Sequence, residues 1–368
     1  MKKIVIITWI TWNNYGTYLQ AYALQQALQA MGYDCKILDD ACYIPSKGDW
    51  RSWMKNILKS VHPKYASFYH SQRKMRKGFA EFKKNFIYLE KRTSDVDFLE
   101  KTYDVFVCGS DQIWNPYSLM NSNWDFYFAT FTDKIKIAYA PSLGVSAIPN
   151  SFINQFSKSI CNFNFLSARE EDGKKIMYKL TGKHVEKVVD PTLLLSRSEY
   201  SQMIACLPPQ RRDYLLAYFL TPNPAFIHAA RIYAFNHQLK FKLFFTDQSY
   251  RGLADELIAG GPLDFMRAIR DAKYVFTDSF HGTIFAYIFE CQFVTFLRFG
   301  KDDPNSQNSR VENLLNMMGL SDRLIDKGSI SSIDTLQEIK FTKVQESLAP
   351  YIEPSKQYLV HALQTIGE

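Results

Sequence analysis

The segment Lys273–Phe289, KYVFTDSFHGTIFAYIF, constrains the fold more than any other part of the sequence. Its first residues, Tyr274–Thr277, have the length and composition of a buried strand. Its last residues, Thr283–Phe289, are apolar enough to form a packed helix. A strand, a tight polar turn and a helix make up the unit from which an open α/β sheet is built, so this segment predicts an α/β fold.

The turn between these two elements is a predicted ligand site. Asp278 and Ser279 are helix-capping residue types, and Gly282 follows them closely. Backbone N–H groups at such a helix start face outward from the carboxyl end of the strand and can bind an anion. His281 lies in this turn, and its spacing fits a catalytic role and a structural role at a helix start equally well.

The start of the chain has the same organisation. Lys3–Thr8 predicts a strand, Asn13–Thr17 a polar turn containing a glycine, and Tyr18–Met31 a helix with apolar residues at helical spacing. Gly32 ends this helix, and Tyr33–Leu38 predicts the next strand. The turn lacks the pattern G-x-G-x-x-G, so a dinucleotide is not indicated.

Further strands of the first half each end in a polar turn, and parallel strands bring such turns together at one edge of the sheet. They are Val105–Cys108 before Gly109–Asp111, Lys136–Tyr139 before Ala140–Ser142, Phe163–Leu166 before Ser167–Glu170, and Val185–Val189 before Asp190–Thr192. A second series follows: strand Tyr214–Phe219, helix Asn223–Phe235, strand Lys240–Phe245, helix Pro262–Ala272, strand Tyr274–Thr277 and strand Phe293–Phe296.

A chain of 368 residues is too long for one ordinary core, so two domains are expected. We predict two Rossmann-like, doubly wound α/β domains that face a cleft: residues 1–197, and residues 198–345 after a hinge at Arg197–Asp213. Residues 346–368 are expected to form a C-terminal helix, Tyr351–Ile366, that packs back on the first domain. Gly300–Ser309 is polar and turn-rich and predicts a mobile loop.

Residues 45–92 are strongly basic, with thirteen Lys or Arg against three acids. Two helices are predicted there, Trp50–Val61 and Phe68–Asn85, as an insertion over one face of the first domain. The basic residues fit a solvated helical face, or contact with an anionic surface or a phosphate-bearing substrate.

Cysteine and histidine usage excludes several classes of protein. The six cysteines are scattered without a C-x-x-C pair, which favours a reducing compartment and argues against a zinc site. The histidines lack metal-ligand spacing, there is no G-x-S-x-G elbow, and no nucleic-acid-binding module is recognisable. Because the N-terminal apolar run is short and lacks a cleavage site, we expect a cytoplasmic protein without a bilayer-spanning segment.

Three charged residues at predicted turns are candidates for chemistry. Arg169 suits bidentate binding of phosphate or carboxylate, or an ion pair with its acidic neighbours. Asp111 could orient or deprotonate a hydroxyl, or cap the helix after it. Arg310 is either a second anion contact or an ordinary charge at a helix start.

Five motifs, in this order, resemble the polysaccharide pyruvyl transferase family. They are Asn14–Ala21 (NYGTYLQA), Gly109–Pro116 (GSDQIWNP), Ser167–Glu170 (SARE), Asp190–Leu194 (DPTLL) and Asp278–Thr283 (DSFHGT). The resemblance implies a GT-B-like pair of domains and transfer of a pyruvyl group from phosphoenolpyruvate to two hydroxyls of a sugar, forming a cyclic ketal. It implies a role in capsule or exopolysaccharide biosynthesis, with no metal and no organic cofactor.

The resemblance also implies roles for individual residues. Arg169 matches the family's donor-binding arginine and His281 its histidine, our candidate acid, while Asp111 is the candidate that orients the acceptor. Better-studied members have an Arg-Leu-His-Gly turn, so Ser279 stands where a donor-binding arginine is expected, and Arg310 is the candidate replacement. The remaining donor-side candidates are Gly282 and Thr283, and the acceptor-side candidates are Asn14, Gly16, Ser110 and Ser142.

The expected partners are phosphoenolpyruvate and a sugar, the latter attached to a lipid diphosphate. The basic segment would then contact that diphosphate or the inner membrane surface. Two alternatives remain: a nucleotide-sugar glycosyltransferase on the same architecture, and a non-catalytic glycan-binding relative that has lost the donor arginine.

Overall fold

A computed structural model of the chain describes residues 2–43, 63–119, 124–206, 208–209, 212–300, 303 and 306–365. Its first sheet has the order β3-β2-β1-β4-β5, and every neighbouring pair of strands is parallel. The strands are β1 (Lys3–Ile7), β2 (Asp34–Leu38), β3 (Leu89–Glu90), β4 (Val105–Cys108) and β5 (Ile135–Ala138). This is the doubly wound order of a Rossmann-like domain.

Two more parallel strands, β6 (Leu166–Ala168) and β7 (Val185–Lys187), extend this domain beyond β5. A single bridge between Ile137 and Phe165 joins them to β5. The predicted strand Phe163–Leu166 is therefore wrong in its bounds. The side chain of Asn164 accepts a hydrogen bond from the Lys136 backbone N–H at 2.9 Å and occupies the place of a strand partner, so the strand begins later.

Eight helices of the described residues belong to this half of the chain. They are α1 (Tyr15–Ala30), α2 (Pro63–Phe86), α3 (Val96–Thr102), α4 (Pro116–Leu119), α5 (Trp124–Tyr127), α6 (Ile153–Cys161), α7 (Glu171–Thr181) and α8 (Arg197–Met203). The helix α8 takes up the first part of the predicted hinge.

Helix α1 starts earlier than the sequence pattern predicts. The side chain of Asn14 accepts a hydrogen bond from the Thr17 backbone N–H and caps the helix, so Tyr15, Gly16 and Thr17 form its first turn. The prediction that this segment is a turn, with the helix starting at Tyr18, is wrong, because the pattern of apolar residues does not show where the cap lies.

The basic segment, in its described part, is not an insertion. Helix α2 is the crossover between the parallel neighbours β2 and β3, so it belongs to the doubly wound unit itself. The sequence pattern hid this because β3 has only two residues. The predicted helix Trp50–Val61 lies outside the described residues.

The second sheet has the order β10-β9-β8-β11-β12-β13, again with every neighbouring pair parallel. Its strands are β8 (Tyr214–Tyr218), β9 (Lys240–Phe244), β10 (Glu256–Ile258), β11 (Tyr274–Thr277), β12 (Gln292–Phe296) and β13 (Leu324–Ile325). Its described helices are α9 (Pro224–Asn236), α10 (Pro262–Arg270), α11 (Phe280–Ile288) and α12 (Asn308–Met317), and α12 includes the end of the predicted mobile loop.

The last helix, α13 (Phe341–Gln364), begins ahead of the predicted start at Tyr351 and continues through Pro350 and Pro354. Both prolines are exposed, so the carbonyls that lose a helical partner can reach water. The helix contacts the first domain, where the Ser355 hydroxyl accepts from the Val189 N–H and the Tyr358 hydroxyl donates to the Ala138 carbonyl, both at 2.9 Å. Among the described helices, none is both long and apolar enough to cross a membrane.

One apolar core spans both sheets, and Tyr15 crosses between them. From α1 its ring stacks on Phe265 of the second domain, with 4.8 Å between ring centroids and 8° between planes. Its hydroxyl donates to the Gly260 carbonyl at 3.0 Å. Phe79 of α2 packs on the same ring at 4.9 Å, so two helices of the first domain enclose this contact.

Helix α2 also touches the second domain directly through glycine. A Cβ atom at Gly78 would lie only 2.4 Å from the backbone nitrogen of Gly261. Only a residue without a side chain permits this approach, so the two domains are in backbone contact at this point.

We expect Tyr15→Ala to lower the free energy of unfolding by about 3–5 kcal/mol, because it leaves a cavity in the core shared by the two domains. Tyr15→Phe keeps the ring and loses one hydrogen bond, at a cost of about 1 kcal/mol. Urea unfolding measures both. Tyr178→Ala, which removes an exposed ring on α7, is the control; equal midpoints for Tyr15→Ala and this control would contradict the interpretation.

Candidate active site

A cavity of about 600 Å³ lies between the carboxyl ends of the two sheets. In the first sheet the strand order reverses between β1 and β4, and in the second between β8 and β11. The segments that follow all four of these strands contribute to the cavity wall. Ligands of doubly wound folds bind at such switch points, so the cavity is the candidate active site.

His281 lies in the wall of this cavity, at the start of α11. Ser279 caps the helix: its hydroxyl accepts from the Gly282 N–H at 3.2 Å, which makes Phe280 and His281 the first helical residues. The prediction that His281 lies in a turn before the helix is therefore wrong, because His281 belongs to the first turn of the helix. Ser279 and Phe280 line the cavity beside it.

Two other candidates from the same motif are buried outside the cavity lining. A Cβ atom on Gly282 would lie 2.5 Å from the Thr277 hydroxyl, so this residue packs α11 closely against β11. The Thr283 hydroxyl donates to the Ser279 carbonyl at 3.1 Å and meets the Thr295 hydroxyl at 2.7 Å. Both residues position the start of the helix.

Asp190 is the buried carboxylate behind His281. Its Oδ2 accepts from Nη1 of Arg169 at 2.7 Å and lies 3.4 Å from Nε2 of His281, while its Oδ1 accepts from the backbone N–H and the hydroxyl of Thr192. Burial alone would raise the pKa of Asp190, but the charge of protonated His281 and then that of Arg169 lower it below its usual value. Asp190 is therefore an anion at neutral pH.

Arg169 lies outside the lining of the main cavity. Its Nε donates to Glu170 at 2.8 Å, and its guanidinium lies 4.4 Å from the centroid of the Phe280 ring. Burial favours loss of its proton, but Glu170 and then Asp190 raise its pKa, so it stays charged. The structure thus places the predicted donor-binding arginine behind Phe280, paired with the two carboxylates.

Gly16 permits the observed position of the His281 ring. A Cβ atom at Gly16 would lie 1.9 Å from Nδ1 of His281, a distance that no side chain tolerates. Nε2 of the same ring is buried and faces Asp190, so the two ring nitrogens face Asp190 and Gly16. Two residues of the first domain, Gly16 and Asp190, therefore set the orientation of an imidazole that belongs to the second domain.

Two arginines, Arg298 after β12 and Arg310 on α12, line the cavity on the same side as His281. Neither makes a salt bridge with a carboxylate in the described parts of the chain. Nη2 of Arg310 donates to the side chain of Gln307 at 2.7 Å. Burial, Arg169 and Arg298 lower the pKa of Arg310 to about 10, so it remains a cation at neutral pH.

Asp111 lies on the opposite wall, after β4. Its Oδ2 accepts from the Thr17 hydroxyl at 2.7 Å and its Oδ1 from the Gln112 N–H at 2.9 Å. Its backbone is left-handed, with φ at 64°, a conformation that an aspartate tolerates better than most residues. Asn14 also lines this wall.

Two acceptor-side candidates are not in the cavity lining. The Ser110 hydroxyl is buried and donates to the Ala140 carbonyl at 2.8 Å. Ser142 is fully buried, and its backbone N–H donates to the Asp111 carbonyl at 2.8 Å. These serines shape the loop that carries Asp111.

Buried polar atoms without a hydrogen-bond partner concentrate at this site. Six side chains of the described residues have such an atom, and three of them belong to residues that line the cavity: His281, Arg298 and Arg310. An unpaired buried donor is costly, so their convergence indicates a site that a polar, anionic ligand completes. Among the described residues, no group of three His, Cys, Asp or Glu side chains has a metal-ligating arrangement.

The sequence pattern indicated no role for Asp190 or Arg298. Asp190 belongs to a quoted motif, yet only the fold brings it to His281 from the other domain. Arg298 follows a predicted strand, as Arg169 does, so the rule that singled out Arg169 applied to it equally.

Comparison with known proteins agrees with the geometry. The family model described as polysaccharide pyruvyl transferase matches residues 14–298, which include the site on both domains. The chain belongs to this family. It is a transferase family, and its description implies a sugar or polysaccharide acceptor. No curated protein matches the sequence.

Solved structures show the fold of this family member to be GT-B-like. A putative UDP-N-acetylglucosamine 2-epimerase from Listeria monocytogenes superposes with a TM-score of 0.57 at 12% identity, over 99% of this chain and 96% of that one. MnaA of S. aureus, solved with UDP, superposes with a TM-score of 0.53 at 11% identity, over 98% of this chain and 96% of that one. A glycosyltransferase from Rickettsia africae superposes with a TM-score of 0.50 at 10% identity, over 100% of this chain and 99% of that one.

We expect Gly16→Ala to displace the His281 ring, since the new methyl group would occupy the position of Nδ1. The change suits a helix, where alanine is favoured over glycine by about 1 kcal/mol, so the protein should fold. Histidine-selective NMR should show a shifted His281 resonance. Gly300→Ala, where a Cβ atom meets nothing within 4 Å, is the control, and an unchanged His281 signal in Gly16→Ala would contradict the packing described.

We expect Asp190→Asn to lower the free energy of unfolding at pH 7 by about 3–5 kcal/mol, because Arg169 loses a buried carboxylate partner. Since folding lowers the pKa of Asp190, its stabilising effect is full above about pH 4 and is lost progressively as the pH falls from there toward the lowered pKa of the folded state.

Urea unfolding of wild type and Asp190→Asn at pH 7 and pH 3 measures this effect. The two proteins should differ less at pH 3. Asp322→Asn, which removes an exposed carboxylate paired with Arg323 at 3.5 Å, should change little at either pH. A difference between wild type and Asp190→Asn that is equal at both pH values would contradict an ionised Asp190.

Proposed function

We propose that the protein transfers the pyruvyl group of phosphoenolpyruvate to two hydroxyls of a sugar, forming a cyclic ketal in cell-surface polysaccharide biosynthesis. The observation that carries the proposal is the pair of cations Arg298 and Arg310, which line the cavity beside His281 and make no salt bridge with any carboxylate of the described residues. Membership in the pyruvyl transferase family makes phosphoenolpyruvate the first donor to consider.

The donor carries a carboxylate and a phosphate on a three-carbon unit. Two separate arginines match two separate anions, and guanidinium groups bind both by paired hydrogen bonds. The start of α11 adds outward-facing N–H groups and the positive end of its dipole. Arg298 and Arg310 supply the charge that Ser279 lacks in this member of the family.

Arg169 acts, in this proposal, on the histidine rather than on the donor. It holds Asp190 in place, and Asp190 faces Nε2 of His281. A carboxylate behind an imidazole accepts a hydrogen bond from one ring nitrogen and so fixes the orientation of the ring. Asp190 is therefore a positioning residue and His281 the acid.

The proposed chemistry balances without a cofactor. His281 donates a proton to the methylene carbon of phosphoenolpyruvate, and the neighbouring carbon becomes electrophilic. One sugar hydroxyl adds to that carbon and its proton returns to the imidazole. The carbon–oxygen bond to phosphate then breaks, the second hydroxyl closes the ring, and its proton leaves with the phosphate.

Asp111 is placed to orient the acceptor. Its carboxylate lies on the wall opposite Arg298 and Arg310, where Thr17 and the Gln112 N–H hold it. A carboxylate that already accepts two hydrogen bonds has lone pairs left for a sugar hydroxyl. Asp111 thus fits the role of aligning the attacking hydroxyl and accepting its hydrogen bond.

A lipid-diphosphate-linked sugar is the acceptor that the surface supports best. Helix α2 has an exposed basic face, formed by Arg73, Lys74, Arg76, Lys77 and Lys84. Such a face attracts a diphosphate or the anionic lipids of the inner membrane surface. We therefore place the reaction in the cytoplasm, with the enzyme at the membrane surface when it meets its acceptor.

We expect Arg298→Ala and Arg310→Ala each to weaken phosphoenolpyruvate binding by about 10- to 100-fold, the loss of one charged hydrogen-bonding group. Isothermal calorimetry measures the affinity. Arg231→Ala, on the exposed face of α9, is the matched control and should bind as wild type does.

Calorimetry also separates the proposed function from its alternatives. A nucleotide sugar that binds through the two arginines, with no binding of phosphoenolpyruvate, would identify a glycosyltransferase. No donor binding together with glycan binding would identify a non-catalytic relative. His281→Asn should leave donor affinity within a few-fold and reduce phosphate release in the presence of acceptor by about 10²- to 10⁴-fold.

A further inference from the structure

Two aromatic side chains on the first-domain wall of the cavity are exposed. Trp12 is 47% exposed and Tyr117 is 45% exposed, and both line the cavity. Most other large aromatic residues of the described chain are buried in a core. In the described residues, neither of these two rings packs against another ring, so each offers a free π-face to whatever enters the cavity.

Hydrogen bonds order the backbone that carries both rings. The Asp40 carboxylate accepts from the Ile10 N–H at 3.3 Å and from the Thr11 hydroxyl at 2.6 Å, and the Trp12 carbonyl accepts from the Asn14 N–H at 2.7 Å. The Tyr117 N–H donates to the Asn115 side chain at 3.0 Å. Rings on ordered loops lose little conformational entropy when they bind, so they are suited to recognition.

Neutral hydrogen-bonding groups surround the two rings. Asn13, Asn14 and Ser118 line the same wall. Gln112 lies where this wall meets the second domain, with its side-chain amide 3.1 Å from the side-chain amide of Gln307. Carboxamides and hydroxyls both donate and accept, as sugar hydroxyls do. The cations lie on the other wall. We call the second-domain lining, which contains Arg298 and Arg310, the cationic half of the cavity. We call the first-domain lining, which is aromatic and uncharged apart from Asp111, the aromatic half.

We propose that Trp12 and Tyr117 form the subsite that binds the pyranose ring of the acceptor. One face of a pyranose such as galactose presents only C–H groups, whose positive edge complements the negative face of an aromatic ring. Its hydroxyl edge then meets the carboxamides, and the Asp111 carboxylate lines the same cavity as the two rings and His281. This proposal rests on the proposed function, since it assigns a place to the sugar acceptor of that reaction.

The size of the cavity supports two ligands at once. A volume of about 600 Å³ is typical of a site for a drug-sized ligand, and a three-carbon donor fills only part of it. The donor in the cationic half leaves the aromatic half open to one sugar ring. The sugar would then lie between Trp12 or Tyr117 and the reacting carbon, with its hydroxyls toward Asp111.

Saturation-transfer NMR on the full chain, with the aromatic protons of the protein irradiated, tests the proposal. The probes are methyl β-D-galactopyranoside and methyl β-D-glucopyranoside, with uridine as a planar competitor. Wild type should transfer saturation to the C–H protons of at least one glycoside. Trp12→Ala and Tyr117→Ala should each weaken that glycoside's binding by about three- to tenfold.

The matched control is Phe235→Ala, which removes an 83% exposed ring on α9, away from the cavity, and should leave glycoside binding unchanged. Phosphoenolpyruvate affinity, measured by calorimetry, should stay within twofold in Trp12→Ala. These measurements separate the two proposals. If the proposed function is wrong, wild type will not bind phosphoenolpyruvate but will still give the glycoside signal.

Three results would overturn the subsite. They are no saturation of either glycoside in wild type, undiminished saturation in both Trp12→Ala and Tyr117→Ala, and saturation of uridine alone. The last result would assign the rings to a nucleobase.

Discussion

The packing of Tyr15 between the two domains is the contact on which the site depends. Its ring lies in an aromatic cluster of the second domain while its backbone belongs to the first turn of α1. The neighbouring residues share that turn and have different roles: Asn14 caps the helix, Gly16 lies against His281, and Thr17 holds Asp111. Because Tyr15 is anchored, the two sheet edges face each other at a set distance.

In the proposed function, charge balance favours the wall with Arg298 and Arg310 as the site of the donor. Arg169 forms ion pairs with Glu170 and Asp190, which largely neutralise its positive charge. Arg298 and Arg310 make no salt bridge in the described parts of the chain. Glu170 and Asp111 offset only part of the effect of burial and of the like charges of Arg169 and Arg298, which lower the pKa of Arg310. An entering dianion relieves that repulsion, so binding is favoured by the protein's own electrostatics as well as by the new contacts.

Much of the fold was predictable from periodicity. Parallel strands buried on both faces read as apolar runs, as Val105–Cys108 does, and the helices between them follow the 3.6-residue period. The errors have local causes. A hydrophobic pattern does not reveal the helix cap at Asn14 or a strand as short as the two-residue β3. The strand β6 begins later than predicted because the side chain of Asn164 pairs with the backbone of β5.

The site was predictable as a set of turns and not as a set of contacts. His281, Ser279, Asp111, Asn14 and Arg310 do line one cavity, because parallel strands end at one edge. Which arginine pairs internally and which faces the cavity depends on distances between domains, and a linear pattern contains none of them. Arg169 and Arg298 show this, since both follow strands and their surroundings differ.

The fit of Gly16 against His281 has a consequence for how such proteins diverge. The two residues belong to different domains, and a side chain at position 16 would require the His281 ring to move. Exchange of one domain between distant relatives would bring together surfaces that had not been selected as a pair. We therefore expect the two halves of this molecule to have been inherited as a unit, and new acceptor specificities to have arisen by substitution in the loops after β1 and β4.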